Sequence, residues 1–262
     1  MKFLVLNLFL LSMLLTACGG GGSGSSESSA LSSESSASSN LNNENLSGLW
    51  NGTISEGGVS GEVRGLVYDD DPNDGLPGDF FAISQEFGFI YLGSLVTSSG
   101  DDVAASAGRF QIGGGYADQW TLAGVGSERG TIQATATSEF GNVASISLSY
   151  DSDYDRSSSL SKVSGTWDNY DEFGNLIASM VLDNNGTFSG SNVAGCSFSG
   201  TFSVINSGKN LYQLQVQFSN CGDANDTYAG YATLLDGVGS NDRIEMVYFN
   251  DQLVIFDEIV KR

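Results

Sequence analysis

Leu211-Tyr212-Gln213-Leu214-Gln215-Val216-Gln217-Phe218-Ser219 alternates with a period of two. Tyr212, Leu214, Val216 and Phe218 fall on one side and three glutamines on the other, the pattern of a strand with one buried and one wet face. The same alternation runs through residues 131–137, where Ile132, Ala134 and Ala136 oppose threonine and glutamine. It returns over residues 143–150, where Ala144, Ile146, Leu148 and Tyr150 oppose three serines. Clusters of Gly, Asn and Asp separate such runs, and no stretch of useful length has a helical period. The 35 glycines supply turns and close backbone approaches, and the two prolines, Pro72 and Pro77, share one loop. The expected fold class is all-β.

Working outward, the pattern occurs twice. Leu46-Ser47-Gly48-Leu49-Trp50-Asn51 returns as Val163-Ser164-Gly165-Thr166-Trp167-Asp168. In the first half strands are expected near 48–55, 62–68, 79–84, 89–97, 107–112, 120–126, 131–137 and 143–151. In the second they fall near 165–170, 176–183, 187–192, 196–205, 211–219, 228–235, 244–249 and 253–260. Eight sequential antiparallel strands suit a closed up-and-down barrel, which removes exposed edges. The predicted domains are residues 46–160 and 161–262, with a tandem β-sandwich as the alternative architecture. Gly-x-Trp on a first strand resembles the start of a lipocalin barrel. That resemblance implies a late basic residue packed on the tryptophan, for which Arg156, Lys261 and Arg262 are candidates.

The chain opens on Lys2 and an apolar run, Phe3 to Leu15, that is shorter than the roughly 20 residues of a membrane span. Its length suits a secretory signal over residues 1–17. Leu15-Thr16-Ala17-Cys18 resembles the bacterial lipobox, which implies diacylglyceryl transfer to the Cys18 thiol, cleavage before Cys18 and acylation of the new amino terminus. Gly19 after it resembles the sorting pattern for the outer membrane. The expected localisation is therefore a lipid anchor in a bacterial outer membrane, its face left open. Residues 18–45 are Ser, Gly, Asn and Glu with almost nothing apolar, the composition of a disordered tether.

With 31 acidic and 10 basic residues the net charge is −21, and loss of Lys2 makes it more negative. Such a charge opposes phosphate backbones, so nucleic acid is not an expected partner. The chain has no histidine, which removes Ser-His-Asp and Cys-His catalysis and histidine-held zinc. Of three cysteines, Cys18 is assigned to lipid, leaving Cys196 and Cys221 as an even pair expected to form a disulfide. Matching the apolar faces pairs Val204 with Tyr212, Phe202 with Leu214 and Phe198 with Phe218. That register sets Cys196 opposite Asn220 and turns Cys221 away, so a bulge over residues 219–221 is expected to re-aim it.

The densest acidic stretch is Asp69-Asp70-Asp71-Pro72-Asn73-Asp74-Gly75-Leu76-Pro77-Gly78-Asp79. Its spaced oxygens resemble the calcium loops of EF-hands and thrombospondin type 3 repeats, which implies Asp69, Asp71, Asn73 and Asp79 as ligands. It departs from the EF pattern at Asp74 and Phe80, and a solvated loop between strands is the other reading. Ser159-Leu160-Ser161-Lys162 spells the Ser-x-x-Lys of penicillin-recognising enzymes but lacks the companion motifs. Acids such as Asp151, Asp153 and Asp155, or Asp223 and Asp226, sit in turns without an aromatic sugar platform beside them. Tyr150, Tyr154, Arg156 and Leu160 join the halves, either packing a seam or lining a site. The expected function is non-catalytic: no enzyme and no cofactor beyond possible calcium, but binding or assembly with a protein partner in the envelope. The alternative is a lipocalin-like carrier of a small apolar ligand, and an envelope hydrolase using carboxylates is the third reading.

Overall fold

The structure is a computed structural model and describes residues 45–68, 78–97, 101–112, 114–250 and 252–262. The first barrel is built from β1 (Gly48–Glu56), β2 (Val59–Tyr68), β3 (Gly78–Ser84), β4 (Phe89–Thr97), β5 (Asp102–Gln111), β6 (Tyr116–Gly126), β7 (Thr131–Ser138) and β8 (Val143–Asp151). A 3-10 turn (Ser152–Asp155) and a one-turn helix (Leu160–Val163) lead to the second. It consists of β9 (Gly165–Tyr170), β10 (Leu176–Leu182), β11 (Thr187–Asn192), β12 (Ser197–Val204), β13 (Tyr212–Ser219), β14 (Thr227–Leu235), β15 (Arg243–Phe249) and β16 (Val254–Lys261). Every strand pairs with its sequence neighbours, β1 closes on β8, and β9 closes on β16. Two antiparallel closed barrels of eight strands, not sandwiches, are thus the architecture. Both belong to one compact unit.

Alternation decides which side chains go inside. Ile54, Val63, Tyr91, Trp120 and Ala136 fill one part of the first barrel, and Trp50, Val67, Leu95, Val103 and Ile132 fill the other. In the second, Trp167, Tyr212, Leu214, Tyr228, Leu234 and Ile244 form one continuous core. Serine, threonine and glutamine face outward on β7, β8 and β13, so these barrels present wet walls, the reverse of a barrel in lipid. The expected strands match closely except at β5 and β6, which begin at Asp102 and Tyr116. There the inward positions are Val103, Ala105 and Ala107 on β5 and Asp118 on β6, residues too small or too polar to register as a hydrophobic period.

The repeated Gly-x-Trp has a physical basis. Trp50 Nε1 donates to the Leu46 carbonyl at 2.9 Å, and Trp167 Nε1 donates to the Val163 carbonyl at 2.7 Å. Each tryptophan therefore caps its barrel while bonding the segment that enters it. A Cβ on Gly48 would lie 2.5 Å from the Tyr150 ring, which packs edge-on against Trp50 with centroids 5.6 Å apart. Gly165 has φ +139°, and Lys261 passes over it to place Nζ 5.4 Å from the Trp167 ring. Of the three basic candidates, Lys261 is the one that lies over a barrel tryptophan. Arg262 instead pairs with Asp168, Arg156 pairs with Asp153 and Asp236, and in the first barrel a tyrosine takes the basic residue's place.

Candidate functional site: the barrel interiors and the clefts along their seam

A small-ligand carrier built as a barrel holds its ligand in the interior. The first barrel keeps a cavity of about 80 Å³ among Trp50, Ile54, Tyr91, Trp120 and Leu148, and the second keeps about 60 Å³ beside Phe198, Phe218, Tyr248 and Asp257. Ligand pockets run to about 300–1,000 Å³. Away from its tryptophan cap, the first barrel is plugged by Arg109, which continues the inward Ala105, Ala107 row of β5. Its Nε and Nη2 bind the Asp118 carboxylate at 2.7 and 2.9 Å, and Nη1 lies 3.3 Å from Glu56. The guanidinium also stacks 4.2 Å from Phe89 and 4.9 Å from Trp120, whose Nε1 donates to Asp118 at 2.9 Å. Burial opposes the charge on Arg109, but the hydrogen bond and charge of Asp118 prevail and its pKa is raised.

In the second barrel Asp257 on β16 accepts from the Tyr248 hydroxyl and, at 3.3 Å, from Asn169 Nδ2 on β9. Burial pushes the Asp257 carboxyl above its ordinary pKa, only partly countered by the Tyr248 bond. Asp118, Asp168 and Glu245 are buried acids that each face an arginine, Arg109, Arg262 and Arg64, whereas the buried carboxyl of Asp257 meets Tyr248 and Asn169 instead.

The barrels meet along an apolar seam. Leu49, Leu66 and Tyr154 pack against Leu211 and Leu235, and further along Ile83 and Ile90 pack against Val247 and Val254. Asp155 bridges the two halves, binding Arg129 at 2.9 Å and Lys209 at 2.6 Å. Burial would raise its carboxyl, but hydrogen bonds from Lys209 and Tyr150 hold it below the ordinary value. The joining residues accordingly pack a seam, with Arg156 on nearby acids, while Leu160 packs on the second barrel's core.

Among the described residues three clefts border this seam. One, of about 350 Å³, lies beside Tyr68, Arg129, Tyr154, Lys209 and Leu211. A second, of about 580 Å³, holds Arg64, Arg243, Glu62, Glu86, Glu245 and Glu258. Glu245 binds Arg64, and Arg243 lies 3.7 Å from Glu245 and 3.9 Å from Glu258, so both arginines are engaged and the cleft keeps an excess of acid. Burial, then the neighbouring Arg243, lowers the Arg64 pKa. The third cleft, of about 380 Å³, is lined by Tyr68, Phe81, Leu92, Tyr231 and Phe249 together with Asp79, Ser94 and Gln119.

Large apolar residues are exposed at the hairpin ends. Val59, Ile112, Tyr116, Phe140 and Val143 all sit at the end of the first barrel opposite Trp50, where β1–β2, β5–β6 and β7–β8 turn. At the corresponding end of the second barrel, Phe173 is 82% and Val193 75% exposed, with Tyr170 and Leu176 beside them in sequence. The polar residues of these second-barrel turns have a local task. Asp171 accepts from the amides of Phe173 and Asn175, and Asn192 from those of Ala194 and Cys196, with Gly174 and Gly195 at positive φ in the two turns.

Among the sequence-derived sites, Cys196 and Cys221 form the expected disulfide, with Cα atoms 4.6 Å apart. The β12–β13 register is the one expected, Phe198 facing Phe218, Phe202 facing Leu214 and Val204 facing Tyr212. No bulge interrupts that ladder. Asn220, just past its end, takes φ +61° and swings Cys221 back to Cys196. Asn225 Oδ1 then accepts from the Cys221 amide at 2.7 Å. Cys18, Asp69, Asp71 and Asn73 lie outside the described residues. Asp79 is described: it is exposed at the start of β3 and accepts a long bond, 3.4 Å, from the Tyr231 hydroxyl. Hydrophobic patterning does not single out Arg109 and Asp118, although Arg109 falls in phase with Ala105 and Ala107. The chain matches no protein-family model, no curated protein and no solved structure.

Proposed function

We propose that this chain is a lipoprotein held through Cys18 at a bacterial outer membrane, where its two barrels act as a non-catalytic protein-binding or assembly module. The observation that carries the reading is the filling of both interiors. Cavities of about 80 and 60 Å³ fall short of a small apolar ligand, so the barrels serve better as rigid supports for an outer surface. The exposed apolar hairpin ends add to it, because large apolar side chains gathered on one rim favour contact with a partner. The arginines facing Asp118, Asp168 and Glu245 favour support over acid-base work for those three carboxyls, since such work needs a carboxyl free to take and give a proton.

A photo-crosslinking residue placed at Phe140 or at Phe173 in cells tests the reading. Discrete protein adducts from one rim, lost when the neighbouring apolar residues are changed to serine, are expected. Absence of adducts from both rims in the membrane-bound protein would overturn it. For the anchor, Cys18→Ala is expected to move the chain from the membrane to the soluble fraction and abolish labelling by a fatty-acid analogue. Retention on the membrane would remove the lipoprotein reading.

A further inference from the structure

We propose that the cleft on the outer wall of the first barrel, closed on one side by Tyr231 and Phe249, binds a short neutral or amino-sugar saccharide. The strand register builds this surface as two rows. Tyr68 faces Asp79, Asp79 faces Ser94 and Ser94 faces Ser106, giving a polar row across β2 to β5. One step inward along the strands, Leu66 faces Phe81 and Phe81 faces Leu92, giving an apolar row beside it. This second row ends at Gly108, where a Cβ would lie 3.0 Å from the Phe110 ring, and whose partner on β6 is Gln119. Gln119 Nε2 donates to Ser106 Oγ at 2.9 Å, which fixes the amide at the end of the cleft.

A pyranose ring presents C–H groups on its faces and hydroxyls around its rim. The apolar row and the aromatic wall suit the faces, and the carboxylate, amide and serine hydroxyls suit the rim. Among the described residues Asp79 accepts one long hydrogen bond, from Tyr231, and a carboxylate offers several acceptor sites in all. Tyr68 and Tyr231 stand with centroids 5.6 Å apart and planes inclined at 46°, so the wall is angled and not flat. The volume, about 380 Å³, lies in the range of small-molecule sites.

Other occupants fit less well. A peptide adding as a strand needs an unpaired edge, and the closed barrel has none. An acyl chain would strand the polar row along its whole length. An acidic sugar would meet Asp79 within a chain of net charge −21.

Saturation-transfer NMR on residues 40–262 with maltose, cellobiose, N,N′-diacetylchitobiose and the glucosamine disaccharide tests the site, with a glucuronate disaccharide as the acidic control. At least one of the first four is expected to bind, and the acidic control is not. Asp79→Ala and Gln119→Ala are each expected to weaken binding about tenfold, the loss of one hydrogen bond of the stronger kind. Both side chains lie outside the cores, so the thermal midpoint should stay unchanged. Ser94→Trp, which fills the cleft from its floor, should abolish binding. No transfer from any of the four sugars, or binding that survives both Ser94→Trp and the Asp79→Ala/Gln119→Ala pair, would overturn the proposal.

Discussion

The first barrel closes through eight register pairs between β1 and β8, the second through only two between β9 and β16. Around that short ladder the second barrel gathers other links. The Arg262 amide donates to the Thr166 carbonyl at 2.9 Å, and its guanidinium binds the buried Asp168 carboxylate at 2.7 and 3.0 Å. Lys261 lies over Trp167, Asn169 reaches Asp257 across the splayed strands, and the disulfide ties β12 to the segment after β13. The first barrel has a complete ladder and places its strong polar link inside, as the Arg109–Asp118 plug. One topology can thus be closed by backbone pairing or by side-chain clamps, and the clamps make the closure of the second barrel, β9 against β16, more dependent on individual residues and on pH than that of the first.

The largest effect is expected at the plug. Arg109→Met leaves Asp118, only 2% exposed, charged and unpaired, which should cost about 3–5 kcal/mol in urea unfolding. Arg109→Met with Asp118→Leu should recover most of that loss, since the cost comes from the orphaned charge. If the single change is silent, the first barrel does not rely on the plug. Next, Cys196→Ser with Cys221→Ser opens a loop with a sequence separation of 25. Its removal should lower stability by about 3–4 kcal/mol in the chain-entropy account, read as earlier exchange of the β12–β13 amides. Equal loosening of the first barrel would erase the distinction drawn between them.

A smaller effect with a pH signature is expected at the closure. Burial would raise the Asp168 carboxyl, but hydrogen bonds from Arg262, Ser179 and Tyr170 outweigh it and hold the pKa below the ordinary value. The clamp therefore stabilises fully above the ordinary carboxylate range and is lost as pH falls through the lowered value. Arg262→Ala should lower the second barrel's thermal midpoint at neutral pH, and the gap from the parent should narrow in acid. A gap independent of pH would assign the loss to packing.

The smallest change has the opposite sign. Asp257, raised by burial, binds its proton more tightly folded than unfolded. Its contribution to stability therefore falls as pH climbs from the ordinary carboxylate value through the raised one. Asp257→Asn should raise the thermal midpoint at neutral pH, with the gain vanishing in acid. A loss at neutral pH would show that the ionised carboxyl is needed between β9 and β16.

Much of the fold was legible because period-two alternation is a direct readout of which face is buried. It placed β12 against β13 residue for residue, since a slip of one would have turned Phe202 and Leu214 into water. It also marked two barrels through Gly48-Leu49-Trp50 and Gly165-Thr166-Trp167. The route of Cys221 was half legible: the mismatch of faces was visible, but a left-handed Asn220 resolves it instead of a bulge. Arg109 and Asp118 escaped notice because hydrophobic patterning treats a charge as outward, whereas a paired charge can occupy an inward position. The clefts were not legible, because strands distant in sequence, such as β3 and β14, form them only after both barrels close and dock.

Native mass spectrometry of residues 40–262, secreted without lipid and purified without chelator, tests the central claim most directly. Filled barrels predict the bare chain mass, short by the two hydrogens lost on joining Cys196 to Cys221. An added mass of a few hundred daltons that leaves on denaturation and is still carried by the Ser94→Trp variant, whose outer cleft is filled, would contradict it and would make the barrels carriers.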